Sequence, residues 1–333
     1  MKKAFQILTD SVSDLPANWV QAHPYVTIVS TPIIVSDSSG YHEFRHISAD
    51  DFMEIDKMVK AGGRASTSQP QVGDPFGENP ESVETLTRNL LQQGTDVVYI
   101  AMGSSMSNTF NSVSLCYREI NAEYEGRAQA YCLDSRCMST GLALLIMNLC
   151  DSIECGEVST IGEIADYVTK NRSYIGHFFT WGELSYIRRS GRVDAMRAFA
   201  ANLLSIRLVG AAVYKDDDEK RTLELVNPHS FIRGIKRWAN VIGEYATKHI
   251  ADPCGKIIVA HGNVPRDAEI IVTQLREYLP KAQFLTGPEW RCGPGIQAHG
   301  GTTSIHVNYE TIDICRYDQM IAELKQIIAS QRK

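Results

Sequence analysis

Short β-branched and apolar runs alternate along this chain with amphipathic stretches, the pattern expected when parallel strands are joined by helices that cover the sheet. Residues 4–8, 25–29, 96–101 and 129–133 read as strands. Between them, Ser48 with Asp50 and Asp51 opens a helix whose apolar positions Phe52, Ile55 and Val59 share one side, and Gly62-Gly63 stops it. Further helices are expected over 83–92 and 109–124, and the first domain is expected to end near Asn171.

From His177 the pattern changes. Phe178-Phe179-Thr180 is followed by a helical stretch over 184–188, two short apolar runs at 206–209 and 211–214, and an acidic turn at 216–219. With 222–226 these runs predict an antiparallel meander, and 231–250 is amphipathic enough to be its covering helix. Residues 256–260, a helix to Tyr278 and 283–285 complete a second layer. The reading is therefore an α/β protein of two domains. Residues 1–171 carry a parallel sheet, and residues 172–333 form a second α/β domain with a mixed or antiparallel sheet.

Composition agrees with that division, because 333 residues exceed the usual size of one compact core. Hydrophobic residues at 44% and charged ones at 22% describe a globular protein. The net charge is -6 and the basic residues are scattered, so no stripe is available to neutralise a nucleic-acid backbone. Met1-Lys2-Lys3 leads through residues 4–8 straight into polar Thr9-Asp10-Ser11, which is not a signal peptide. No apolar run reaches the roughly 18 residues of a membrane span. The cysteines form no Cys-x-x-Cys pair and sit in apolar contexts such as Tyr131-Cys132-Leu133, as reduced cytoplasmic core thiols do. A cytoplasmic protein without stable membrane insertion, metal or other cofactor is expected.

The candidate chemistry lies in three hydroxyl-rich loops, Thr9-Asp10-Ser11, Thr67-Ser68-Gln69-Pro70 and Ser104-Ser105-Met106-Ser107-Asn108-Thr109, joined by the glycine-rich segment from Gly293 to Gly301 with His299. The loops fall after strands or before helices, at the edge of a parallel sheet where ligands bind in open α/β folds. Hydroxyls and free backbone N–H groups there can hold a carboxylate or phosphate without a full positive charge. Each residue also has a plainer use. Ser104, Ser107 and Asp14 could cap helices, Asp10 and Asp134 could fix turns, and His299 could be a satisfied loop histidine.

Two catalytic alternatives follow from the same residues. His42-Glu43-Phe44-Arg45-His46 has the spacing of a zinc metallopeptidase, but it lies between a turn and a helix start and is expected to be extended, which splays the histidines. Ser104 as nucleophile with His299 as base would make an acyl hydrolase, although the chain has no Gly-x-Ser-x-Gly elbow.

The ordered motifs Thr9-Asp10-Ser11-Val12-Ser13-Asp14-Leu15-Pro16, Thr67-Ser68-Gln69-Pro70, Asp134-Ser135 with Ser139-x-Gly141-Leu142, and Arg189-Ser190-Gly191-Arg192 resemble those of the DegV family over nearly the whole chain. That resemblance implies a two-domain fold enclosing one long-chain fatty acid, whose carboxylate is presented to a separate fatty acid kinase that makes an acyl phosphate. It implies a carrier for lipid metabolism rather than an enzyme. By the same resemblance Thr67 with Ser68, Ser104 or Ser105, and His299 would grip the carboxylate, and Arg192 would meet the kinase. The acyl chain would lie in an apolar tunnel between the domains, lined in part by 142–149 and residues near Phe178. Departures from the family pattern fall at Asn108, Ser190, Arg207-Leu208 and Gly301-Thr302-Thr303.

Overall fold

A computed structural model of the protein describes residues 5–74, 78–124, 128–190, 206–215, 220–226 and 232–331. Arg192 and the acidic turn at 216–219 lie outside the described residues. From β1 (Phe5–Asp10) the chain passes through a 3-10 turn (Ser11–Ser13) and α1 (Ala17–Ala22) to β2 (Val26–Val29). It then leaves that sheet for β3 (Ile33–Asp37), β4 (Gly40–Phe44), α2 (Phe52–Lys60) and β5 (Arg64–Thr67). It returns through α3 (Val83–Gln92) to β6 (Asp96–Ala101), α4 (Thr109–Glu123) and β7 (Ala130–Asp134). The four strands are all parallel, in the order β2-β1-β6-β7. Every residue of β6 is buried, as expected of a central strand covered on both faces.

The excursion forms a separate antiparallel sheet in the order β4-β3-β5, which the sequence patterning did not predict. Helix α2 packs on it through Phe52, Ile55 and Val59, the three positions read as its buried face. Ser48 and Asp51 open it as expected, the Asp51 carboxylate accepting from the Ser48 amide and hydroxyl and the Ser48 hydroxyl accepting from the Asp51 amide at 3.2 Å.

Two helices follow, α5 (Ser139–Glu154) and α6 (Ile161–Asn171), and then the second sheet begins at β8 (Ile175–Trp181). Next come α7 (Ser185–Ser190), β9 (Ile206–Arg207), β10 (Gly210–Tyr214), β11 (Arg221–Leu225), β12 (Ile232–Arg233) and α8 (Ile235–His249). The chain ends with β13 (Lys256–His261), α9 (Pro265–Tyr278), β14 (Gln283–Leu285), α10 (Pro294–Gly300), β15 (Ser304–Glu310) and α11 (Tyr317–Ser330). The six-stranded sheet runs β11-β10-β8-β15-β13-β14, antiparallel throughout except for the β13–β14 pair. The expected meander is present as β10 and β11, whereas β9 pairs with β12 in a two-stranded ribbon.

Helix α5 is buried on all sides from Ser139 to Met147 and lies between the two main sheets. It shares one core with Ile7, Val98 and Ile100 of the first sheet and with Ile258 and Ala260 of the second. On the far side of the second sheet, α8, α9 and α11 close a larger core around Trp238. Cys137, Cys150, Cys292 and Cys315 are buried in these cores, and Cys116 is buried with Val97, Tyr99 and Ile120 on the other face of the parallel sheet. Among the described residues, no helix is long and apolar enough to cross a membrane.

Gly210 of β10 lies directly across from Phe179 of β8, and a Cβ there would come within 2.0 Å of the Phe179 ring. Gly210→Ala is therefore expected to lower the unfolding free energy by about 1–3 kcal/mol through overpacking. Urea titration checks this, and an unchanged midpoint would mean that the Phe179 ring is not seated against β10.

Candidate functional site

In the parallel sheet the strand order reverses between β1 and β6, and the loops that follow these two strands flank the site. The first loop is held by its polar atoms. Thr9 Oγ1 donates to the Ile100 carbonyl at 2.8 Å, and Ser11 Oγ accepts from the Thr31 amide at 2.9 Å. Asp10 accepts from the Tyr99 hydroxyl and from the Met102 amide, the latter at 2.8 Å. Thr9 and Asp10 are the last residues of β1 rather than a loop, and their polar groups join strands. What this segment gives the site is an apolar side chain, Val12.

Asp14 ends that segment in a left-handed conformation (φ 56°). Its carboxylate accepts from Ser139 Oγ at 2.6 Å, at the start of α5, and from the Gly293 amide at 2.9 Å, just before α10. Ser139 is itself left-handed, with φ 49°. A Cβ at Gly293 would lie 2.5 Å from Asp14 Oδ1, and one at Gly295 would lie 2.4 Å from Val12 Cγ1. The glycines of this motif thus let the start of α10 pass against the first loop. Burial pushes the Asp14 carboxyl up to about 7 against the opposing bonds from Ser139 and Gly293, and pushes Asp10 up to about 6.

So held, α10 packs on β5 and α7 and carries His299 to Thr67, with Nε2 and Oγ1 2.9 Å apart. These two groups and Ser68 line one side of a cavity of about 300 Å³. Gln69, Ser107 and Asn108 continue the polar rim, and Ser112 Oγ fixes the Gln69 side chain by donating to Oε1 at 2.9 Å. Ser107 and Asn108 immediately precede α4, so the positive end of that helix also opens on the rim. The remaining wall is largely apolar: Val12, Met102, Met106, Met138, Phe179, Trp181, Ile187, Leu223 and Ile296, with His306 among them. Three methionines make this wall adaptable in shape.

Of the expected clamp residues, the structure brings Thr67, Ser68 and His299 together and places Ser104 and Ser105 elsewhere. Ser104 donates to Asp134 Oδ2 at 2.6 Å, and Ser105 donates to the Arg221 carbonyl. The cause is a helical turn in which the Met106 and Ser107 amides bind back to the Gly103 carbonyl. Residues one and two after Gly103 leave in one direction, and Met106, Ser107 and Asn108 come round to the cavity. The position of Ser107 and Asn108 just before a helix was the available signal. Asp134 does fix a turn, accepting from the Arg136 amide at 2.9 Å.

The expected lining by 142–149 is corrected, since residues 142–147 and 149 of α5 are sealed in the core between the sheets and Asn148 bonds Glu310 and Lys256 away from the cavity. The lining expected near Phe178 is present, one and three residues further along β8. Neighbouring residues of β8 face opposite sides, so Phe178 packs with Trp238 and Tyr245 while Phe179 and Trp181 line the cavity. Wall residues missed in the sequence include Met138, Ile187 and Leu223, and His306 on β15, which shares a polar face with Ser304 and Asn308.

Neither catalytic alternative assembles. His42 lies in β4 and meets Asp37 at 3.3 Å, and His46, left-handed beyond the end of that strand, pairs separately with Glu81 at 2.8 Å, so the motif begins extended as expected and the histidines are splayed. Ser104 is bound to Asp134, and the hydroxyl that meets His299 Nε2 is that of Thr67. Of the departures, Thr303 Oγ1 accepts from the Glu183 amide at 2.9 Å and ties the turn after α10 to the end of β8. Arg207 forms an ion pair with Asp267.

A family model described as "Uncharacterised protein, DegV family" matches residues 4–311. A DegV domain-containing protein of Clostridium perfringens is 26% identical over 287 residues, covering 85% of this chain and 90% of that one. One from Staphylococcus aureus is 27% identical, covering 78% and 82%. Among solved structures, a DegV lipid-binding protein of Thermotoga maritima superposes with a TM-score of 0.70 at 19% identity, covering 93% and 99%. The Fatty Acid Kinase (Fak) B3 protein of Streptococcus pneumoniae, loaded with linoleic acid, superposes with a TM-score of 0.70 at 20% identity, covering 93% and 100%.

The buried carboxyl of Asp14 leaves a signature in pH. Its folded pKa, about 7, lies above the unfolded value of about 4, so its contribution to stability falls as pH rises from about 4 to about 7. Burial lowers His306 to about 3, His261 to about 4 and His177 as well, and these act with the opposite sign up to about pH 6.5. Comparison with Asp14→Asn isolates the carboxyl. The unfolding free energy of the natural chain minus that of the variant should fall across this window, by up to about 1.4 kcal/mol per pH unit. Urea titrations between pH 4.5 and 7.5 read the difference, and a flat line would contradict a carboxyl buried as described.

Proposed function

The chain belongs to the DegV family, and on that footing we propose that it binds one long-chain fatty acid and presents the carboxylate to a separate fatty acid kinase, which phosphorylates it to an acyl phosphate. In this reading it is a cytoplasmic carrier rather than an enzyme, it needs no cofactor, and 1–171 and 172–333 are the domains that enclose the ligand. The observation that carries the reading is the division of the cavity. A rim of Thr67, Ser68, Ser107 and His299 suits an anion, and the wall behind it suits a hydrocarbon. The bound fatty acid in the structurally similar S. pneumoniae protein supports the same assignment.

Burial of an acyl chain contributes about 0.8 kcal/mol per methylene, so the wall sets affinity and the rim sets orientation. Among the described residues, no arginine or lysine lines the cavity. Hydroxyl and imidazole donors hold a carboxylate more weakly than a bidentate guanidinium does, which leaves an oxygen able to attack a phosphoryl group. Beside the cavity, a small recess that also includes His299 carries Arg64 and Arg189. These two would present positive charge to the nucleotide side of the partner, and Arg192 is a further candidate for that contact from its match to the family motif.

Native mass spectrometry of the protein incubated with long-chain fatty acids is expected to show one acid per chain. Thr67→Ala and His299→Ala should slow acyl phosphate formation by a cognate kinase about tenfold or more. They should weaken binding of the acid only a few-fold, because the chain supplies most of the affinity. A protein that rejects every fatty acid offered would contradict the carrier reading, and unchanged transfer in both variants would contradict the clamp.

A further inference from the structure

The largely apolar wall contains an imidazole nitrogen that the protein itself does not use. His306 lies on β15 opposite Phe179, is 2% exposed and lines the cavity. Its Nδ1 meets Nε2 of the equally buried His177 at 3.1 Å. His306 Nε2 has no hydrogen-bond partner among the described residues, yet it is not one of the unpaired atoms sealed from solvent, as His177 Nδ1 is. Neither bonded nor sealed, that nitrogen opens on the cavity. Leaving it against hydrocarbon alone costs the hydration it would have in water.

The position is some way from the anion rim. Gly300, next to His299, packs against Trp181 Nε1, and Trp181 is opposite Ser304. His306 is two residues further along β15, or about 7 Å deeper. Burial pushes its pKa down to about 3, so the ring is neutral at physiological pH and offers no charge for a second carboxylate.

Building on the fatty-acid reading above, we propose that the cavity selects acyl chains bearing a hydroxyl group several carbons from the carboxylate, with His306 Nε2 as its hydrogen-bond partner. The His177 contact permits two tautomeric arrangements. If His177 donates to His306 Nδ1, the exposed Nε2 carries the hydrogen and donates; if His306 donates, Nε2 is an acceptor. A hydroxyl satisfies either arrangement, whereas a carbonyl oxygen satisfies only the first and a double bond makes no comparable bond.

Competition binding with a saturated fatty acid and its positional hydroxy isomers of equal length tests this. Isomers hydroxylated within one short stretch of the chain should bind the natural protein about three- to tenfold more tightly than the unsubstituted acid. In His306→Leu and His306→Phe that ratio should fall to one or below. No tighter isomer with the natural protein, as when a resident water already fills the bond, would overturn the proposal, and this comparison needs no variant to fold. An advantage that persists in both variants would overturn it as well. Binding of the unsubstituted acid at one per chain keeps the carrier reading intact whichever way the ratio falls. Failure of every acid to bind would remove both.

Discussion

The site depends on the buried carboxylate of Asp14, which binds the start of α5 through Ser139 and the approach to α10 through Gly293. These segments lie 125 and 279 residues further along the chain, so a single side chain joins the first loop of the parallel sheet to distant parts of the fold. An anion at helix amino ends is what their unsatisfied N–H groups favour. Here the place is taken by the protein's own Asp14 side chain, which meets the Gly293 amide. Helix α10, positioned in this way, brings His299 against Thr67, and the rim of the cavity follows from that contact.

The same arrangement explains why the ligand's anion is handled by neutral groups. The helix start nearest the first loop is occupied by Asp14, and the cavity meets instead a threonine, a histidine and the opening of α4. Such a rim orients a carboxylate without the grip of a guanidinium. The wall behind it comes from elements far apart in sequence: the first loop, the segment after β6, β8, α7, β11, α10 and β15. No one of these could enclose a chain alone. The wide separation of its contributors makes the cavity a property of the assembled fold.

Much of the scaffold was legible because it rests on local periodicity. The β-branched runs at β1, β2, β6 and β7 and the face of α2 carry their burial in their patterning. The β3-β4-β5 sheet was not read, since its strands are short and partly exposed, and the contribution of β15 was missed. At the site, Thr67, Ser68 and His299 were reachable through motif order, although their convergence depends on Asp14 and two close-packed glycines. Ser104 and Ser105 were indistinguishable from Ser107 and Asn108 by residue type. Only the turn after Gly103 decides which pair reaches the cavity. The placement of Phe179 rather than Phe178 is likewise a matter of one residue of strand register.

The central claim is that one cavity holds an acyl chain with its carboxylate at the Thr67–His299 contact. A crystal structure of the protein with a bound long-chain fatty acid tests it most directly. The account predicts a carboxylate within hydrogen-bonding distance of Thr67 Oγ1 and His299, with the chain running past Trp181 and Phe179 toward His306. A chain bound with its carboxylate at the far end, or an acid found only outside this cavity, would contradict it.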